Sequence, residues 1–265
     1  MIIKQFKIAP IAMSPDAIAY TINKYTKHKS RVSDTISDND DIIHFHNKYI
    51  QTDKKCLIQY HSEPAKTDRS FPGVKLVIDQ YHSTLPEYKT CIPVRNIINF
   101  ENYPMPAHRK SIKVGYSPSI TKKHNEWYNK GYSETVSILK KLGIKYDIIT
   151  GVPLKECIKR KSRCNIIIDE CVTDSFHRSG LEGLALGKLT ICSLGDEVRG
   201  NIHKHSPIIP FFDIRIENLE EELYNIIKEG IDFIIHCGKK SREWMERYWH
   251  PRDIIKEYID VYKSI

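Results

Sequence analysis

Residues 165–191 run NIIIDECVTDSFHRSGLEGLALGKLTI. Three consecutive isoleucines ending in Asp169-Glu170 make a short apolar run of the kind that fills a strand buried on both faces. A polar loop follows, then a helix predicted over Arg178–Leu186, its first turn near Ser179, and a second strand over Leu189–Cys192. In open α/β sheets, ligands bind outside the carboxyl ends of the strands, so this loop faces the expected site. Two carboxylates, Asp174 in the loop and Glu182 in the first helical turn, stand eight residues apart. The N–H groups and positive dipole end of the helix start suit a phosphate.

The same alternation extends outward in both directions. Strands are expected at Phe6–Pro10, Asp41–His46, Cys56–His61 and Lys75–Gln80, with a helix over Pro15–Tyr25. Further strands are expected at Ile112–Gly115, Tyr146–Ile149, Asn165–Asp169 and Ile208–Phe211, with helices over Gly131–Leu142, Pro153–Arg160 and Leu219–Glu229. Right-handed helical crossovers between parallel strands are the economical wiring for this order. The prolines of Tyr103–Lys110 favour an extended linker, and the strand–helix pattern restarts at Ile112. The division expected is a first domain over 1–108, a second over 109–240, and a closing helical segment over 241–265 that Pro251 kinks or breaks.

With 265 residues, the chain has enough length for two cores. A hydrophobic fraction of 40% excludes wholesale disorder. The formal charge of +8 points to an anionic partner such as a nucleotide, a nucleic acid or an acidic membrane face. Nothing in the sequence has the length of a transmembrane run or the pattern of a signal peptide, so a cytoplasmic protein is expected. Seven cysteines form no CxxC pair and several sit in apolar runs, so they are expected to be reduced thiols and not a disulfide framework or zinc site.

The block Asp174-Ser-Phe-His-Arg-Ser-Gly-Leu-Glu182-Gly-Leu-Ala-Leu-Gly187 resembles the EGFGxxxLEAMAxG block of retaining, GT4-like glycosyltransferases of the GT-B fold. The resemblance implies an α/β architecture of two doubly wound, Rossmann-like domains with a C-terminal helix crossing back to the first. Asp174 takes the place of the acid that contacts the donor sugar, and Glu182 that of the acid that binds the ribose hydroxyls. Carboxylates suit both roles because each accepts two hydrogen bonds from neighbouring hydroxyls. Upstream, Lys113-Val-Gly-Tyr-Ser-Pro-Ser119 and Asn129-Lys-Gly131 resemble the VGR…KG arrangement, which implies that Lys130 contacts the donor phosphates. Tyr116 stands where the family has arginine. Ser117 and Ser119 are next to it, and Arg178 or Lys123 is left to supply a second cation. In the first domain, Asp41-Ile-Ile-His-Phe-His46 and Gln59-Tyr-His61 resemble strand ends where a histidine sits close to the reacting sugar, and His61 is the candidate, ahead of His44 and His46. The first loop, Ala9-Pro-Ile-Ala-Met-Ser-Pro15, departs from the family's glycine-rich form.

The resemblance therefore implies a hexosyltransferase that uses a nucleotide-sugar, for example a UDP-sugar, as co-substrate. It would need no other cofactor and no bound metal, and would retain configuration at the anomeric carbon. His61 and Asp174 are its catalytic candidates. Lys130, Ser117, Ser119, Arg178, Ser179, Gly180, Leu181 and Glu182 are the candidates for holding the donor. Three other readings stay open: a DNA-modifying glycosyltransferase, a sugar-nucleotide epimerase, and a non-enzymatic nucleic-acid-binding protein. Each residue also has a plainer role open to it. Glu182 can stabilise its own helix dipole, Asp174 can be a loop acid, and Lys155–Arg163 can be a solvated helix face or a strip for an anionic acceptor.

Overall fold

A computed structural model describes residues 1–7, 14–105, 110–121 and 130–265. The chain forms two compact units, Met1–Asn99 with Trp249–Ile265, and Phe100–Tyr248. In the first unit, β1 (Ile2–Phe6), β2 (Lys29–Ser33), β3 (Ile42–His46), β4 (Lys55–Tyr60), β5 (Val74–Ile78) and β6 (Ile92–Val94) form one sheet. Its order is β2-β1-β3-β4-β5-β6 and every pairing is parallel. Helix α1 (Ser14–Tyr25) buries Ala17, Ile18 and Ile22 against β1 and β2. Phe45, Ile58, Tyr60, Phe71 and Val77 fill a core on the sheet, each contributing about 1.5–3 kcal/mol by leaving water.

Two strands of this sheet were not expected, and both lie at its edges. Lys29–Ser33 reads as polar because one face of an edge strand meets solvent. Ile92–Val94 carries Pro93, which only an edge tolerates. The first strand begins at Ile2 and not at Phe6, because Lys4 and Gln5 are buried inside it, Lys4 beside Asp40 at 3.7 Å. The first loop lies largely outside the described residues.

In the second unit, β7 (Val114–Tyr116), β8 (Tyr146–Ile148), β9 (Ile166–Glu170), β10 (Leu189–Cys192) and β11 (Phe212–Asp213) form a second parallel sheet in the order β11-β10-β9-β7-β8. Helices α2 (Tyr132–Lys141), α3 (Leu154–Ser162), α4 (Arg178–Ala185), α5 (Asp196–His203) and α6 (Leu219–Lys228) connect or follow these strands. The last strand falls later than Ile208–Phe211, because the Ile208 carbonyl accepts from Trp244 Nε1 and Ser206 Oγ in place of a ladder partner. Helix α5 escaped notice because only Val198 and Ile202 are buried on it.

The closing helix begins at Ile231, ten residues before the expected start, and Pro251 breaks it. Helix α7 (Ile231–Tyr248) belongs to the second unit and α8 (Pro251–Ser264) to the first. Proline sits in the first turn of α8, where no N–H is needed, and His250 Nδ1 accepts from Arg252 N–H as the cap. Gly238 lets α7 pass over the end of α4, since a Cβ there would lie 2.2 Å from the Gly187 carbonyl oxygen. Among the described residues, no helix is long and apolar enough to cross a membrane.

Candidate functional site

The carboxyl end of β9 delivers two buried carboxylates of different use. Asp169 is fully buried. Its Oδ1 accepts from Lys130 Nζ at 2.8 Å and its Oδ2 from the His177 backbone N–H, which opens α4. Gly180 permits this approach, since a Cβ would stand 2.7 Å from Asp169 Oδ2. Burial works to raise the Asp169 carboxyl, but Lys130, with His177 beside it, pulls it far below the usual carboxylate range. Glu170 instead shapes the loop. Its Oε2 accepts from the N–H groups of Val172 and Thr173 at 2.9 and 2.6 Å, and its Oε1 from Ser175 N–H at 3.1 Å. Burial raises the Glu170 carboxyl against the pull of these N–H groups.

Lys130 sits at φ 56, a left-handed conformation at the entry to α2. Tyr116, which replaces the family arginine, is fully buried, and its hydroxyl donates to the Lys130 carbonyl at 2.7 Å. The tyrosine therefore holds the Lys130 backbone, and the Lys130 ammonium is already paired with Asp169. Lys123 and Asn129 lie outside the described residues.

Glu182 is 4% exposed on α4 and forms the second charged cluster. Lys161 Nζ donates to its Oε2 at 2.7 Å, the Tyr103 hydroxyl donates to its Oε1 at 3.1 Å, and Arg178 Nε lies 3.4 Å from that same oxygen. Lys161 also donates to Ser179 Oγ at 2.9 Å. Burial opposes the charge on Glu182, yet Lys161 and then Arg178 bring its carboxyl below the ordinary value. Burial likewise pulls the Lys161 ammonium down, and Glu182 more than restores it.

Lys161 corrects the view of Lys155–Arg163 as solvated or as a strip for an anionic acceptor. It is 1% exposed and is the buried residue of α3. Arg160 is tied to Asp147 and to the Ile148 carbonyl, so two of the strip's five basic residues are spent inside the unit. Tyr103 likewise leaves the expected linker, being fully buried beneath Glu182. Residues 106–109 of that linker lie outside the described residues.

The other candidates take distinct places. Asp174 stands at φ 54, with Oδ1 accepting from Ser193 Oγ at 2.6 Å and Oδ2 from Arg215 at 2.8 Å. Its partners are separate from those of Glu182. Ser179 and Gly180 lie in the first turn of α4. The Leu181 side chain is in the core, which leaves only its backbone for a ligand. Ser117 lies half-buried beside Cys157, and Ser119 is exposed. The described residues contain no group of three or more His, Cys, Asp and Glu arranged to hold a metal ion. All seven cysteines are free thiols.

His61 belongs to the first unit, just past the end of β4. Its backbone N–H donates to Asn47 Oδ1 at 2.7 Å, and its Nε2 lies 2.9 Å from His46 Nδ1. His44 and His46 are fully buried, with rings stacked 4.4 Å apart. His44 Nδ1 meets the Tyr262 hydroxyl at 2.8 Å and His46 Nε2 meets Gln5 Oε1 at 3.0 Å.

No family model matches the sequence, and no curated protein matches it. Solved structures do match in shape. A glycosyltransferase from Rickettsia africae superposes with a TM-score of 0.65 at 13% identity, covering 99% of this chain and 98% of that one. HepE from Anabaena, solved with UDP and glucose, superposes at 0.63 with 8% identity over 100% of this chain and 99% of its own. Sucrose-phosphate synthase from Thermosynechococcus elongatus reaches 0.54 at 13% identity, over 85% of this chain and 73% of its own. At such identities the likeness is one of fold, and the fold, two parallel α/β Rossmann-like units with C-terminal helices, is that of the GT-B glycosyltransferases.

Proposed function

We propose that this chain is a glycosyltransferase that takes a sugar from a nucleotide-sugar donor bound mainly by its second unit. The observation that carries the reading is the buried carboxylate of Glu182, ionised and oriented by Lys161, Tyr103 and Arg178 in the first half of the helix that follows β9. A carboxylate has about four lone-pair positions; the hydrogen bonds from Lys161 and Tyr103 take two of them, which leaves two for neighbouring ribose hydroxyls. The start of α4, with Arg178, Ser179, Gly180 and the Leu181 backbone, faces the diphosphate, and Lys130 contributes the positive charge beside it. Fixed charge aimed at a departing diphosphate stabilises the leaving group, which is the work a metal ion does in other transferases. In this reading Lys130 and Arg178 do that work, and no resident metal or cofactor is involved.

Asp174 holds the donor sugar, and His61 is the first unit's candidate for the catalytic group. Transfer retains the anomeric configuration, as the resemblance of the Asp174–Gly187 block implies. Because HepE was solved with UDP and glucose, UDP-glucose is the first donor to try, followed by GDP-, ADP- and TDP-sugars. Calorimetry and thermal shift on wild type and Glu182→Gln test the reading. A donor at a hundred times its Kd stabilises the fold by about 2.7 kcal/mol, and the substitution is expected to weaken binding by about ten-fold or more. No response to any nucleotide sugar, or a response that Glu182→Gln leaves untouched, overturns it.

A further inference from the structure

Strand β9 ends on a break in its ladder. Its neighbour β10 pairs Ile191 with Ile168 but Cys192 with Glu170, so Asp169 is an extra residue on β9. A bulge of this kind re-aims the side chains at a strand end, and bulges gather next to active sites. Asp169 turns to Lys130 and the start of α4. Glu170 turns to the loop that carries Asp174.

Two routes link Glu170 to Asp174. In the first, the Glu170 carboxylate takes the N–H groups of Val172, Thr173 and Ser175. Ser175 N–H belongs to the same peptide group as the Asp174 carbonyl, and that carbonyl accepts from Gly195 N–H at 2.8 Å. The peptide after Asp174 is thus held at both ends, by Glu170 and by the residue that opens α5. In the second route, the Glu170 carbonyl accepts from Ser193 N–H at 3.0 Å, and Ser193 Oγ donates to Asp174 Oδ1. One residue therefore fixes both the backbone at Asp174 and the serine that orients its side chain.

The fixing has a conformational purpose. Asp174 sits at φ 54, a left-handed conformation that a side chain disfavours. Such a residue stays in place only where its surroundings over-determine it. The three N–H groups converge on both oxygens of Glu170, which suits a carboxylate that can only accept. A glutamine would turn its NH2 toward at least one of them, whichever way round it lay.

We propose that Glu170 is a positioning residue that holds the loop so that Asp174 presents its carboxylate to the donor sugar, and that it thereby sets the preference for a nucleotide sugar over the bare nucleotide. The hold on the loop follows from the hydrogen bonds alone, while the sugar's part rests on the transferase reading above.

Two measurements on the full chain test the proposal. In the first, amide exchange and backbone chemical shifts are read by NMR without any ligand. The amides of Val172, Thr173 and Ser175 are expected to be protected, and Asp174 to show the shifts of a left-handed residue. Glu170→Gln is expected to speed exchange at one or more of these amides by about ten-fold or more. Three unprotected amides in the wild type overturn the proposal, whether or not the variant folds. A folded Glu170→Gln in which the three amides and Asp174 are unchanged also overturns it.

The second measurement is calorimetry with UDP and UDP-glucose, or with the GDP, ADP or TDP pair if that is the one bound. It compares wild type, Glu170→Gln, Asp174→Ala and the double variant. Glu170→Gln is expected to weaken the nucleotide sugar by about five-fold or more while the nucleotide stays within about two-fold. With Asp174 already alanine, Glu170→Gln is expected to leave the ratio of the two affinities where Asp174→Ala put it. A ratio unchanged by Glu170→Gln alone, or one that the double variant lowers further, shows that Glu170 does not act through Asp174 and overturns the proposal. A wild type that binds no nucleotide sugar overturns the transferase reading and the sugar role with it, while the amides still decide whether Glu170 holds the loop.

Discussion

Two buried polar clusters, one in each unit, are built in opposite ways. The second unit buries charge as pairs, Lys130 with Asp169 at 2.8 Å and Lys161 with Glu182 at 2.7 Å. The first unit buries neutral groups in a chain, with Gln5, His44, His46 and Gln59 beneath the hydroxyls of Tyr258 and Tyr262. Buried ion pairs cost desolvation that their attraction largely offsets, so they add little net stability, yet removing one partner is severe. Such pairs keep fixed charge ready for a charged ligand. A neutral chain carries no charge, but it gives each hydrogen bond a direction, which is what a proton-accepting group needs from its surroundings. The charged pairs of the second unit fit the proposed function, in which that unit meets an anionic donor.

The largest effect is expected from breaking a charged pair. Asp169→Asn leaves Lys130 buried beside a neutral amide and is expected to cost about 3–5 kcal/mol at pH 7, read as a lowered midpoint in urea. Because Asp169 has a depressed carboxyl, its contribution is present above about pH 4, the unfolded value, and is lost as the pH falls toward the folded one. The gap between wild type and Asp169→Asn should therefore narrow once the pH drops below about 4. A gap that stays constant down to pH 2 would mean that the pair contributes through shape and not through charge.

The neutral chain should fail at a different pH. Burial lowers His44 to about 3, and His46 is lowered in the same direction, by burial first and then by its neighbours. Both are neutral in the folded and unfolded states above about pH 6.5, so no pH-dependent contribution exists there. Below that value the unfolded chain takes up protons that the folded one refuses, and stability falls as the pH drops toward the folded values. For His44 alone the loss is on the order of 3 kcal/mol by pH 4.5, since each unit is worth about 1.36 kcal/mol. Amide exchange, corrected for its intrinsic rate, should speed up in β3 and β4 across that window while β9 and β10 hold until lower pH. Equal acid sensitivity in the two sheets would erase the comparison.

The contrast also explains what could be read from the sequence. The loop and helix over Asp174–Gly187 are contiguous, and their strand, helix start and Glu182 follow from apolar runs and turn residues within a few positions. Charged pairs reach somewhat further, with Lys161 and Glu182 separated by 21 residues. Lys161 sits among five basic residues between 155 and 163, and nothing in its type separates it from its solvated neighbours. Its position four residues after Cys157 is the one hint that it lies on an inward face. Tyr116 looked like a lost arginine, and only the bond to the Lys130 carbonyl shows what it holds. The neutral chain was beyond reach, because His44 and Tyr262 are 218 residues apart and Gln59 and Tyr258 are 199 apart. Such pairs leave no local period, and α8 presents its tyrosines in the same spacing it would use for any core.

The smallest effect should come from the ion pair that is neither buried nor neutral. Arg215 and Asp174 are 60% and 40% exposed at 2.8 Å, so water and salt screen them, and Arg215→Ala should move stability by less than about 1 kcal/mol. Asp174 should also stay in place, because Ser193 Oγ still donates to Oδ1 at 2.6 Å and the Gly195 N–H still bonds its carbonyl. UDP affinity should then be unchanged, and UDP-glucose affinity should shift by less than about five-fold, roughly 1 kcal/mol. Removing Ser193 Oγ as well frees the carboxylate. If Asp174 holds the sugar, the double variant Arg215→Ala with Ser193→Ala should bind UDP-glucose no better than UDP, a comparison in which any general loss of fold cancels. A double variant that keeps the sugar's full advantage would release Asp174 from the sugar and leave it a loop acid that braces β10 and the turn after β11.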